Sequence, residues 1–216
     1  MFMPTLPPCR IFDVIGVNFD QMRENEMEHL KIEVAATALI VVDLQNGLLS
    51  RPLAPHDKGT ILGNTVALAD ALSSRDGLVV RVKMDFLALP TTPVDVLSSM
   101  PKALPAAFSA LAPEIEALHG SILVKRQWGS FHGTELDVVL RQQNITTVII
   151  CGLATNFGIE STVREAWQHR YEVVVAEDAC SSLSAELHDF AITKIFPSIS
   201  RVRRTATIIA ALESRG

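Results

Sequence analysis

Cysteine is scarce in this chain. Cys9, Cys151 and Cys180 are odd in number, irregularly spaced and form no CxxC, which argues against a disulfide framework and against a cysteine-ligated zinc. The histidines show no HxxxH, HxH or HExxH spacing. His132 and His188 therefore read as isolated residues, and no metal is expected. No apolar run approaches the ~20 residues of a membrane span. Positive charge is not in excess: the net charge is −5, so no electrostatic attraction to nucleic acid or an anionic membrane is expected. Internal repeats and low-complexity tracts are also missing. The first residues lack the charged start, apolar stretch and cleavage site of a signal peptide, and with so few cysteines a reducing, cytoplasmic setting is expected.

What is present is an ordinary globular composition, 48% hydrophobic and 20% charged over 216 residues, enough for one domain with a sizeable core. Residues 1–34 read as an N-terminal arm and 35–216 as the domain. Within it, β-branched runs alternate with helical spacing. Strands are expected at 38–43, 78–83, 121–125, 146–151, 171–177 and 199–202. Helices are expected at 58–74, 134–143, 156–169, 184–195 and 205–212. Gly77 breaks the chain before LVVRVK, and a proline-rich segment over 84–120 reads as a pocket wall or a subunit contact. Strands that are apolar throughout are buried on both faces. The expected fold is therefore α/β: a three-layer α/β/α sandwich with a mainly parallel, about six-stranded, Rossmann-like sheet.

In such sheets ligands bind beyond the C-terminal strand ends, and that rule selects the candidates. Asp43 ends the first strand in VVDLQNG, Lys125 ends another in LVKRQWGSF, and Gly152 to Gly158 follow the strand TTVIIC. An acid and an ammonium would meet there. Gln45 is close enough to share the pocket and could equally point into the core. Trp128 and Phe131 are core residues or stacking surfaces for a substrate. The turn after the strand opens a helix, where a nucleophilic thiolate is favoured, yet the residue there is Gly158. Cys151 lies in an apolar strand that keeps a thiol inert. Cys180 is placed just past a strand, toward the pocket rim, with no evident base. Ser161 and Thr162 read as helix packing. Arg81, Lys83 and Arg126 are candidate partners for substrate carboxylates by position alone.

The segments ALIVVDLQNG, VKRQWGSFHGTELDVVLRQ, VIICGLATNFGIESTVREAW and VVVAEDACSS occur in this order, and together they resemble the isochorismatase-like hydrolases, also called cysteine hydrolases, over about residues 36–212. The resemblance implies an α/β/α fold and an Asp–Lys–Cys triad. Asp43 and Lys125 match the acid and the lysine, and Gly158 stands at the cysteine's position. It also implies a non-proline cis peptide at Leu153–Ala154, with the N–H groups of Ala154 and Gly158 facing the substrate. The metal-binding cluster of nicotinamidases has no match in KMDFLALPTTP. True isochorismatases likewise carry glycine at the nucleophile position.

The expected function is hydrolysis of a small metabolite, an enol ether or an amide, by non-covalent acid/base catalysis. Asp43, Lys125 and Gly158 form the catalytic set; Gln45, Trp128, Phe131, Ala154, Thr155 and Asn156 bind substrate; no cofactor is required. The alternative is a catalytically silent, ligand-binding or assembly-forming member of the same fold. The partner is a small molecule rather than nucleic acid or membrane, and the resemblance implies a dimer or tetramer.

Overall fold

In a computed structural model the chain is described over residues 30–90, 92–96 and 103–214. The N-terminal arm lies outside the described residues up to residue 29. After it, Leu30 is buried in the core and a single turn, Val34–Ala36, leads into the sheet.

Among the described residues six strands form one sheet: β1 (Thr37–Val42), β2 (Leu78–Met84), β3 (Ser121–Lys125), β4 (Thr147–Leu153), β5 (Glu172–Ser181) and β6 (Arg201–Arg203). All neighbours are parallel and the order is β3-β2-β1-β4-β5-β6. Every residue of β1 and β4 is buried, which is why their sequences show no polar alternation: both faces of the sheet are covered. Each aliphatic side chain buried there contributes about 1.5–3 kcal/mol relative to exposure, so truncating Ile40 to alanine is expected to cost about 2–5 kcal/mol. The edge strand β3 inverts the usual pattern. Ile122 and Val124 are exposed, whereas Lys125 is fully buried.

The longer helices are α1 (Lys58–Ser73), α2 (Leu136–Gln142), α3 (Glu160–Gln168), α4 (Ala185–Phe190) and α5 (Thr205–Glu213). Asp57 caps α1 by accepting from the Thr60 N–H at 2.7 Å. Ile61, Leu62, Thr65, Leu68, Ala69 and Leu72 are buried along one face of that helix. The helix expected over 156–169 starts as a wider π turn, Thr155–Ile159, before α3. A second π turn, Ala191–Ile195, continues α4.

Two expectations about β5, its end and the place of Cys180, are corrected. The strand expected to stop at Glu177 runs on to Ser181. A register shift between Ile150 and Gly152 lets Cys180 and Ser181 pair with Gly152 and Leu153. Asp178 tolerates burial there because its Oδ1 accepts from both the N–H and the hydroxyl of Thr205, each at 2.7 Å, capping α5. Cys180 is thus a fully buried strand residue rather than a rim residue. The described end of the proline-rich segment, at residues 110–112, packs on the end of β1: Ala112 N–H donates to the Leu44 carbonyl and Asn46 N–H to that of Ala110, both at 2.9 Å.

The strand order reverses between β1 and β4, a topological switch point whose crevice lies at their C-terminal ends. Asp43 and the Leu153–Ala154 peptide sit at that place, and this peptide is cis, as the resemblance implies. Among the described residues no helix is long and apolar enough to cross a membrane.

Candidate active site

β1 ends at Val42, and Asp43 turns the chain with φ of 55°, a left-handed conformation that aspartate tolerates better than most residues. Its N–H donates to the Val82 carbonyl at 2.9 Å, and its carbonyl accepts from the Gln45 N–H at 2.7 Å. The backbone is thereby fixed on both sides and the carboxylate is aimed over the strand ends. Lys125, at the end of β3, reaches across the end of β2. Its Nζ lies 2.8 Å from Asp43 Oδ2 and donates to the Trp128 carbonyl at 2.6 Å.

Gly158 completes the group. A Cβ built there would lie 3.1 Å from Asp43 Oδ2, 3.2 Å from Lys125 Nζ and 3.0 Å from the Leu153 carbonyl oxygen. The bare backbone of the π turn therefore faces the ion pair directly, with no room for a side chain unless the neighbours give by a few tenths of an ångström. The turn is tied to the loop after β3 by a chain of hydroxyls. Ser130 Oγ lies 2.9 Å from Thr162 Oγ1, which donates to the Gly158 carbonyl at 2.7 Å. Glu165 accepts from the Phe131 N–H at 2.8 Å. Thr162 reads as helix packing in the sequence because its contact with Gly158 is i, i+4, and Glu165 carries no signal there because its partner Phe131 lies 34 residues away; Thr162 is engaged with backbone and is no nucleophile.

The electrostatics raise the affinity of the acid for its proton. Burial pushes the Asp43 carboxyl up from 3.8 to about 6, against the opposing charge and hydrogen bond of Lys125. Removing two charged groups from water costs several kcal/mol each, and one contact repays it only in part. Asp43 Oδ1 is buried and has no hydrogen-bond partner among the described residues. Such atoms are rare in folded proteins, and this one leaves an acceptor on the acid uncommitted.

The remaining expected residues divide. Trp128 and Phe157 are exposed rings in edge-to-face contact, centroids 4.9 Å apart. The Trp128 carbonyl accepts from Lys125 Nζ, and Phe157 immediately precedes Gly158 in the π turn. Ala154 is half-buried at the start of the π turn, its carbonyl accepting from Phe157 and Ile159. Gln45 points inward. Its amide donates to the carbonyls of Met84 (3.0 Å) and Ser109 (2.9 Å) and accepts from the Met84 N–H (2.8 Å). It ties β2 and the proline-rich segment to β1. Phe131 is buried, its ring stacked on His169 at 5.1 Å and beside Tyr171 at 5.8 Å. Asn156 accepts from Ser182 Oγ at 2.5 Å, and Thr155 Oγ1 lies 2.8 Å from His188 Nδ1. Both side chains thus turn toward the end of β5 and α4. Arg81 is buried and donates to the carbonyls of Glu116 (2.7 Å) and Gly120 (2.6 Å), so it braces a turn rather than meeting a substrate carboxylate.

Cys151 and Cys180 are quiet. Burial pushes the Cys151 thiol up to about 12 and the Cys180 thiol well above its usual range. His188, read as isolated, has neighbours: its ring centroid is 5.5 Å from that of His56. Burial first, and His56 second, pull it down to about 4, so the ring is neutral near pH 7.

Residues 37–207 match the family model described as the isochorismatase domain. The isochorismatase family protein YecD of Escherichia coli O157:H7 is 39% identical over 194 residues, covering 85% of this chain and all of that protein. The solved structure of an isochorismatase family protein from Burkholderia thailandensis superposes with a TM-score of 0.80 at 38% identity, covering 85% of this chain and 98% of the other. A more local match, 36% identical over 78 residues, is to the ureidoacrylate amidohydrolase RutB of Agrobacterium fabrum, covering 36% of this chain and 34% of that protein.

Proposed function

This chain belongs to the isochorismatase family of hydrolases, and from that premise we propose that it hydrolyses a small enol ether, with Asp43 as general acid, Lys125 as its positioning cation, and Gly158 in place of a nucleophilic cysteine. The reading rests above all on one observation: a buried carboxyl with one oxygen on Lys125 and the other without a partner among the described residues, over a residue with no side chain.

The step begins with the Asp43 proton. It is delivered to the terminal vinyl carbon, and the electron pair of the double bond forms the new C–H bond. The positive charge that develops on the adjacent carbon is shared with the ether oxygen. Water adds to that carbon and gives up a proton, which restores the protonated Asp43. The resulting hemiketal collapses to an alcohol and a ketone. For an enolpyruvyl ether the ketone is pyruvate. A positioned acid contributes about 10²–10⁴-fold to such a reaction. Lys125 sets the rotamer of Asp43 and stabilises its carboxylate once the proton has left. Trp128 and Phe157, packed edge to face, supply an apolar corner near this pair, and the N–H groups of Ala154 and Gly158 supply donors for a substrate oxygen.

A second reading is supported by the match to RutB, which is named an amidohydrolase. There Asp43 would act as base toward water and ammonia would be released. The two readings use opposite protonation states of one carboxyl. A panel of small enol ethers and amides, assayed for both pyruvate and ammonia, decides between them. Pyruvate formation that falls as pH rises through about 6 supports the acid role. Ammonia formation that rises over the same interval replaces it with the base role.

A further inference from the structure

Away from the Asp43–Lys125 pair, three ligand-type side chains from distant parts of the sequence converge. They are His56 before α1, Glu177 in β5 and His188 in α4, and one ligand atom from each lies within 4.8 Å of the others. Backbone contacts hold the first beside the second. Ser181 Oγ donates to the His56 carbonyl at 2.8 Å, and Ala54 and Ser182 exchange N–H···O bonds of 2.8 and 3.0 Å. The third is steadied by Thr155, whose hydroxyl lies 2.8 Å from His188 Nδ1. With the proton on Nδ1 donated to that hydroxyl, Nε2 keeps a lone pair, the arrangement that second-shell partners impose on metal-ligating histidines.

We propose that His56, Glu177 and His188 bind a divalent transition-metal ion of the zinc class, with water completing the coordination. Two imidazoles and one carboxylate are a zinc-type donor set and a poor one for magnesium or calcium. The spacing agrees. A tetrahedral ion with bonds of about 2.0–2.1 Å sets its ligands about 3.3 Å apart, and His56 Nε2 already lies 3.4 Å from Glu177 Oε2. His56 and Glu177 are only partly buried, so an ion can reach them from solvent. Arg204 opposes the site, with Nε 3.5 Å from Glu177 Oε1. It holds the other carboxylate oxygen, however, and its side chain is 71% exposed and able to swing outward. Such an ion would join the segment before α1, β5 and α4. Through Thr155 it would also reach the π turn that carries Gly158, one hydrogen bond away.

The test uses the full chain carrying Cys9→Ser, so that this thiol does not compete, stripped with a chelator and dialysed. Zinc is then added and followed by calorimetry, metal analysis and thermal unfolding, with magnesium as the control. The expected result is one zinc per chain and a raised Tm, with no response to magnesium. His56→Ala and Glu177→Gln, both at partly exposed positions, should each abolish stoichiometric binding. Thr155→Val should weaken it by about 10–100-fold. Absence of stoichiometric zinc binding, or binding that survives both His56→Ala and Glu177→Gln, overturns the proposal and leaves His56 and Glu177 as an ordinary hydrogen-bonded contact.

Discussion

Lys125 Nζ lies 2.8 Å from Asp43 Oδ2, and neither side chain has more than 3% of its surface exposed. The two residues are 82 apart in sequence (125 − 43) and come from strands separated by β2. Within a buried pair each charge is the other's main compensation. Removing one leaves a buried, uncompensated group, at a cost of about 3–5 kcal/mol. Lys125→Met is therefore expected to destabilise the fold by that amount, and Asp43→Asn by somewhat less because a neutral amide can still accept from Lys125. The double variant should lose less than the sum of the two. Urea unfolding of the four proteins measures this; strict additivity would show that the pair is not coupled.

The raised carboxyl gives a pH signature with a definite sign. Asp43 holds its proton up to about pH 6 in the folded chain, against 3.8 ordinarily. Between these values the folded chain binds more protons than the unfolded chain, so this group's contribution to stability falls as pH rises from about 4 to 6 and is level above. The full change is about 3 kcal/mol for a two-unit shift. The difference in unfolding free energy between the parent and Asp43→Asn, measured across this interval, should move in that direction. A difference independent of pH contradicts the raised value.

Gly158→Cys should create a reactive thiol. Its Cβ would stand 3.1 Å from Asp43 Oδ2 and 3.2 Å from Lys125 Nζ, so the pair must give by a few tenths of an ångström to admit it; Asp43 is then placed to take the thiol proton and the ammonium to favour the thiolate. In a Cys9→Ser background, the parent should take up no iodoacetamide while folded, because Cys151 and Cys180 are buried and their thiols are raised. The variant should take up one equivalent at neutral pH. Labelling of Cys151 in the folded parent would instead make that residue a candidate nucleophile again.

Gln45 is expected to matter for stability. Gln45→Leu leaves the Met84 N–H without its partner and removes two donors from the carbonyls of Met84 and Ser109. Each buried group left unsatisfied costs about 1–3 kcal/mol. The variant should unfold at markedly lower denaturant, and an unchanged midpoint would contradict the bracing role.

What was legible in the sequence follows from where its information lies. Asp43, Lys125 and Gly158 follow from position, because strand ends in a parallel sheet face one crevice and the apolar runs mark the strands. The targets of individual side chains are a different matter. Gln45, Thr155 and Asn156 lie next to the site in sequence, yet their partners Met84, His188 and Ser182 come from other elements. The same holds for His56, Glu177 and His188, which come from the segment before α1, from β5 and from α4 and meet only in the folded chain. The last residues of β5 were hidden for a local reason. Asp178 reads as a strand terminator until the cap it gives to Thr205 is seen.

The acid role of Asp43 is tested most directly by the pH dependence of turnover in the parent and in Asp43→Asn, on the best substrate found among small enol ethers. The parent rate should be level at low pH and fall above about 6, and the folded Asp43→Asn variant should be slower by about 10²–10⁴-fold without that bend in its profile. An Asp43→Asn chain that turns over as fast as the parent, with the same profile, would contradict the account.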